Sequence, residues 1–132
     1  MSSPRILIVD DDSRLSLLMR TILERVGFEV REENRSFAAL ATAREFRPHL
    51  VLLDVDMPGK DGGMVAAELQ ADPITAETPF IFVTSLVKKN EAGPRGTVRY
   101  LSKPVQPAVL VAAVEQAIST SAKPPEDQKV NR

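Results

Sequence analysis

Asp10 and Asp11 follow the apolar run Ile6-Leu7-Ile8-Val9, and Asp54 follows Leu50-Val51-Leu52-Leu53. Four-residue apolar runs bounded by polar residues read as strands buried on both faces, the mark of a parallel sheet. Open α/β sheets bind their ligands outside the carboxyl ends of the strands. Three carboxylates gathered at that edge repel one another, and a bound divalent cation is the simplest relief. The pattern points to a metal-assisted phosphate site.

The rest of the chain supplies the elements such a site needs. Residues 5–10 form a first strand, and Asp12 or Ser13 caps a helix whose apolar positions are Leu15, Leu18, Met19, Ile22, Leu23 and Val26, ended by Gly27. Phe28-Glu29-Val30-Arg31-Glu32 alternates, as a strand with one wet face does. A helix over about 36–46 is predicted to turn Phe37, Leu40 and Ala41 to one side. The strand 50–54 leads through a loop containing Pro58-Gly59 to a helix near 62–71 capped by Asp61. Phe80-Ile81-Phe82-Val83 is another buried strand, and Thr97-Val98-Arg99-Tyr100-Leu101 alternates again. A last helix over 105–121 has Leu110, Ala113, Val114, Ala117 and Ile118 facing inward.

The continuous strands (first, third, fourth) belong in the centre of the sheet and the alternating ones (second, fifth) at its edges. Right-handed crossovers then favour the order 2-1-3-4-5, a flavodoxin-like doubly wound α/β fold. Its switch point lies between strands one and three, where Asp10, Asp11 and Asp54 end up.

Composition narrows the function classes. With 132 residues, 43% hydrophobic and 27% charged, the chain is one globular domain rather than a disordered segment. A net charge of -1 gives no global attraction to nucleic acid. The absence of cysteine excludes disulfides and thiolate chemistry and suits a reducing cytoplasm. His49 is the only histidine, and a lone one rarely makes a metal site. The MSSPR start leaves no room for a signal peptide, and no apolar stretch reaches the ~18 residues of a membrane span.

The strings ILIVDDD at 6–12, LLDVDMPGKDG at 52–62, FIFVTS at 80–85 and RYLSKP at 99–104, in this order and spacing, resemble the receiver domain of two-component response regulators. The resemblance covers about residues 5–121. It implies that Asp54 is the phosphoacceptor, that Asp11 ligates Mg²⁺ directly and Asp10 through water, and that the Asp56 backbone carbonyl is a third protein ligand. It implies that the Thr84 hydroxyl and Lys103 bind phosphoryl oxygens, that Tyr100 is a switch aromatic, and that Lys103-Pro104 is cis. It also implies a sensor histidine kinase or histidine phosphotransfer protein as donor, and an output surface around strands four and five and the last helix, open to dimer formation on phosphorylation.

The chemistry suits those roles. Carboxylates of ordinary acidity are ionised at pH 7, so an aspartyl nucleophile needs no general base. Phosphoryl transfer needs in-line approach and charge neutralisation, for which a cation, a lysine and a hydroxyl suffice. Magnesium takes a few oxygen ligands and keeps several waters. Taken singly, each residue has a blander reading: Asp12 and Asp61 are helix caps, Thr84 a strand-end hydroxyl, Tyr100 an edge aromatic, Lys103 a solvated cation. The joint pattern overrides these for Asp10, Asp11, Asp54, Thr84 and Lys103.

Two other readings share part of the signature. Haloacid-dehalogenase-type phosphatases also place an Asp after a strand, a second Asp two residues on (here Asp54 and Asp56), then a Thr or Ser and a Lys. They carry the nucleophile on the first strand and the acidic pair last, and want Thr or Val where this chain has Pro58. A receiver-like binding module that is not phosphorylated would be expected to lack one of the five residues, and none is lacking.

The departures from the family pattern gather near the fourth strand. Only nineteen positions separate Thr84 from Lys103, and Gly93, Pro94 and Gly96 fall between them. The helix between strands four and five is expected to be shortened to about Leu86–Ala92, distorted or missing, leaving a flexible 86–96 loop to respond to phosphorylation. Ser85 stands where Ala or Gly is common and narrows phosphoryl access. Lys88, Lys89, Arg95, Arg99 and Lys103 face only Glu91 in the segment 88–103, read as a solvated face. Val109 and Val111, beside Ala108 and Ala112, are placed on the outer face of the last helix. Residues 1–121 are assigned to the receiver and 122–132 to a polar tail, whose charged ending suits a stand-alone regulator.

Overall fold

A computed structural model describes residues 3–85 and 100–121. The expectations for the 86–96 segment and its helix, for the basic run as far as Arg99, and for the tail 122–132 fall outside the described residues.

Five strands, β1 (Arg5–Val9), β2 (Glu29–Glu33), β3 (Leu50–Asp54), β4 (Phe80–Thr84) and β5 (Tyr100–Ser102), form one sheet in the order β2-β1-β3-β4-β5, every neighbouring pair parallel. Among the described residues the helices are α1 (Ser13–Arg25), α2 (Ala39–Phe46), α3 (Gly62–Ala71) and α4 (Pro107–Ser121), with a 3-10 turn at Ser36–Ala38. The flavodoxin-like order expected from the strand patterns is the observed one.

The central strands need apolar residues at every position because helices cover both faces. Ile6, Ile8, Leu50, Leu52, Ile81 and Val83 face α1 and α4, packing on Met19, Leu23, Leu110 and Val114. The alternate residues Leu7, Val9, Val51 and Leu53 face α2 and α3, against Ala43, Phe46, Val65 and Leu69.

Several boundaries and faces differ from expectation. The second helix opens as a 3-10 turn, and its inward residues are Ala39, Ala43 and Phe46. Phe37 and Ala41 are exposed and Leu40 is half-buried. The 3-10 turn winds three residues per turn, which rotates the stripe away from a continuous helical spacing. On α1, Leu18 and Val26 are exposed while Ser16 is fully buried. On α4, Val109 is exposed as expected, but Val111 packs on the core.

The end opposite the acidic residues is closed by Arg5. Its guanidinium donates to the carbonyls of Phe46 and Arg47, the unsatisfied end of α2, while its N–H donates to His49 Nδ1 at 2.9 Å. The single histidine is thus a backbone acceptor at a strand start, and burial holds its pKa below the ordinary value.

Candidate functional site

Parallel strands all end on one side, so the last residues of β1, β3, β4 and β5 meet at a single edge. Asp10 directly follows β1, Asp54 closes β3, and Thr84 closes β4. The backbone knits these ends together: Val55 N–H donates to Val83 O at 3.2 Å, and Lys103 N–H donates to Thr84 O at 3.0 Å. The Lys103-Pro104 bond is cis, as the family resemblance implied.

Asp10, Asp11 and Asp54 offer carboxylate oxygens that lie within 4.8 Å of one another. Asp10 is 0% and Asp54 2% exposed, whereas Asp11 opens to solvent. Lys103 Nζ donates to Asp54 Oδ1 at 2.8 Å. Asp10 Oδ1 accepts from the Asp12 N–H at 2.9 Å, but Asp10 Oδ2 is buried and has no hydrogen-bond partner among the described residues.

Electrostatics follow from this crowding. Burial pushes the Asp10 carboxyl up to about 6, the Asp12 N–H opposes the rise, and the neighbouring Asp54 charge adds to it. Burial works against the charge on Lys103, but its bond to Asp54 and the Asp54, Asp10 and Asp56 charges outweigh it and raise its pKa. Among the described residues, the pocket has more negative charge than its one lysine neutralises.

A hard divalent cation fits this donor set. The three carboxylates are oxygen ligands of the kind Mg²⁺ takes, and the orphaned Asp10 oxygen is a buried acceptor needing a positive partner.

The remaining candidates sit around this core. Thr84 is 4% exposed and follows Val83, the residue paired with Asp54 in the sheet. Tyr100 opens β5, half-buried, its ring 5.6 Å from that of Phe82. The Asp56 side chain is exposed, in the loop between β3 and α3. Asp12 and Asp61 cap helices: Asp12 accepts from Arg14 and Leu15 N–H, and Asp61 from Met64 N–H.

Two residues at this edge had no role in the reading of the sequence. Gly62 opens α3, and a Cβ there would lie 2.4 Å from the Asp54 carbonyl oxygen, so only glycine lets α3 start against that backbone. Its signal was its place directly after the capping Asp61. Asn34, past the end of β2, donates to the Asp10 carbonyl at 2.7 Å. Nothing in the sequence marks that bond, because it joins residues brought together only by strand pairing.

A model of the response regulator receiver domain matches residues 6–115. Over 129 residues the chain is 32% identical to the DNA-binding dual master transcriptional regulator RpaA of Synechocystis sp., covering 96% of this chain and 54% of that protein. It is 38% identical over 113 residues to the DNA-binding response regulator MtrA of Mycobacterium tuberculosis, covering 83% of this chain and 48% of that protein. The chain thus spans about half the length of these curated relatives. The crystal structure of the signal receiver domain of a signal transduction histidine kinase from Syntrophus aciditrophicus matches with a TM-score of 0.77 and 27% identity, over 92% of this chain and 94% of that one.

Proposed function

The chain belongs to the response regulator receiver domain family, and on that premise we propose that it is a phosphorylation switch whose acceptor is Asp54. Receivers of this family are signalling modules of two-component systems, and response regulators are partnered by histidine kinases. A phosphohistidine on such a kinase, or on a phosphotransfer protein, is the donor. An Asp54 oxygen forms the new O–P bond as the P–N bond of the phosphohistidine breaks, and the electron pair leaves with the imidazole nitrogen.

The observation that carries this reading is the meeting of Asp10, Asp11 and Asp54 within 4.8 Å, with Lys103 Nζ 2.8 Å from Asp54 Oδ1. Only Asp54 among the three lies beside the lysine in this way. Asp10, Asp11, Asp54 and the Asp56 carbonyl would hold Mg²⁺, which when bound offsets the charge of the entering phosphoryl group. Lys103, already held charged at the pocket, balances a phosphoryl oxygen once the new bond forms, and the Thr84 hydroxyl donates to another. Tyr100 is the aromatic that reports the change to the surface of β4, β5 and α4. Transfer shifts an existing equilibrium between two conformations rather than creating a new one.

A cytoplasmic setting belongs to the same proposal and is supported by the cysteine-free chain. Among the described residues, no helix is long and apolar enough to cross a membrane. RpaA and MtrA are DNA-binding proteins by name. The net charge of -1 does not favour nucleic acid for this chain, so its output is assigned to a protein target or a second copy.

Incubation with acetyl phosphate and Mg²⁺ tests the reading by intact mass. One added phosphoryl group, absent in Asp54→Asn and in the presence of a chelator, is expected. Steady turnover of a phosphomonoester instead would indicate a phosphatase and defeat it.

A further inference from the structure

We propose that Asn34 and Ser16 are positioning residues of the acidic pocket, holding the peptide between Asp10 and Asp11 in the orientation that lets both carboxylates meet a divalent cation. The inference rests on reading that pocket as a Mg²⁺ site. Asn34 Nδ2 donates to the Asp10 carbonyl at 2.7 Å and to Ser16 Oγ at 3.1 Å. Ser16 is fully buried on α1, and its hydroxyl reaches Glu32 Oε1 at 2.7 Å and, at 3.2 Å, the Ser13 carbonyl. A hydroxyl has one proton, so donation to the nearer Glu32 carboxylate leaves a lone pair facing Asn34. Glu32 Oε2 accepts from Arg20 at 3.3 Å. One carboxamide therefore joins the end of β2, the first turns of α1 and the turn after β1.

The Asp10 carbonyl and the Asp11 N–H lie in one rigid peptide plane. Asp10 is already fixed on its other side, because its N–H donates to Glu33 O at 3.1 Å. With its carbonyl also held, Asp10 cannot rotate about the strand end, and the direction in which Asp11 leaves is set. Asp11 is exposed to solvent. The cation would otherwise have to order that turn on binding and would bind more weakly for it. Partners of metal ligands commonly change metal affinity about 10- to 100-fold.

Calorimetric titration of the full chain with Mg²⁺ decides the matter, using Asn34→Ala, the near-isosteric Asn34→Asp, Ser16→Ala and Asp11→Asn. Arg44→Ala, which breaks the remote Arg44–Asp72 pair, controls for lost stability alone. The expected result is affinity about tenfold weaker in both Asn34 variants, a smaller loss in Ser16→Ala, and wild-type affinity in Arg44→Ala at a comparable fall in melting temperature. The Asp11 amide resonance should also move in the metal-free Asn34 variants, because the carbonyl of its peptide loses a donor. Wild-type Mg²⁺ affinity in Asn34→Ala, or in Asn34→Asp should the first fail to fold, overturns the proposal while leaving the pocket intact. Failure of the wild type to bind Mg²⁺, or unchanged binding in Asp11→Asn, removes the pocket reading itself and the proposal with it.

Discussion

Asp10→Asn should make the metal-free protein more stable while weakening its hold on Mg²⁺. The Asp10 carboxyl is 0% exposed, its Oδ2 has no hydrogen-bond partner among the described residues, and burial raises its pKa from 3.8 to about 6. Between those two values the folded chain holds a proton that the unfolded chain has released. The stability this group contributes is therefore greatest at low pH and falls as pH rises through the window, reaching its minimum above about 6. A rise of that size corresponds to roughly 3 kcal/mol at neutral pH. An asparagine keeps an acceptor for the Asp12 N–H, carries no charge, and presents an N–H₂ toward Asp54, so it should recover about 1–3 kcal/mol of this. For a domain of this size that is roughly 4–10 °C in melting temperature. Thermal unfolding in EDTA at pH 7.5 and pH 5 is the assay. The gain should be full at the higher pH and about half as large at pH 5, which lies midway between 3.8 and about 6. Adding Mg²⁺ at pH 7.5 should raise the wild type more than the variant, because only the wild type gains a partner for its buried oxygen. A variant less stable than wild type at pH 7.5, or a gain of equal size at both pH values, would show that the buried Asp10 charge is not what destabilises the metal-free chain.

Three further outcomes are expected. Asp11→Asn should lose more Mg²⁺ affinity than Asp10→Asn, since the first loses a direct ligand and the second an anchor that water can replace; titration showing the reverse order would contradict these roles. Gly62→Ala should cost about 1–3 kcal/mol in urea unfolding, because its Cβ would sit 2.4 Å from the Asp54 carbonyl; a loss under about 0.5 kcal/mol would show that α3 can shift freely. Lys103→Gln removes the charge-assisted 2.8 Å bond to buried Asp54, which should cost about 1–3 kcal/mol at pH 7.5 and slow phosphorylation by acetyl phosphate. Phosphorylation at the wild-type rate would exclude the lysine from the site.

Most of the architecture was legible because parallel strands covered on both faces require uninterrupted apolar runs. Ile6–Val9 and Leu50–Leu53 could hardly have been anything else, and the acidic residues beyond them had to share an edge once the order was fixed. Asp12 and Asp61 were equally readable, since a cap depends on residues only two or three positions away. Faces were harder. Phe37 looked like core and is exposed, because the chain enters α2 through a 3-10 turn. Glu33, one residue past the alternating run read from the sequence, is buried, its carboxylate taken by Thr42 and Arg35. Val111 was placed outward and turns in, because the groove between α1 and α4 accepts it. The least legible parts were Asn34, Ser16 and Gly62. Asn34 and Gly62 meet a backbone atom of another element and Ser16 meets the Asn34 and Glu32 side chains; of the three only Gly62, directly after the capping Asp61, left a mark in the sequence.

The proposed roles of the pocket all depend on Asp54 being the residue phosphorylated. Borohydride reduction of the acetyl-phosphate-treated protein, followed by peptide mass spectrometry, reads the site directly, because an aspartyl phosphate is reduced to homoserine while free carboxylates are not. Homoserine is expected at position 54 alone, formed only when Mg²⁺ is present. Homoserine at Asp10, Asp11 or Asp56 in the wild-type chain, or labelling at Asp54 that persists without any divalent cation, would contradict this.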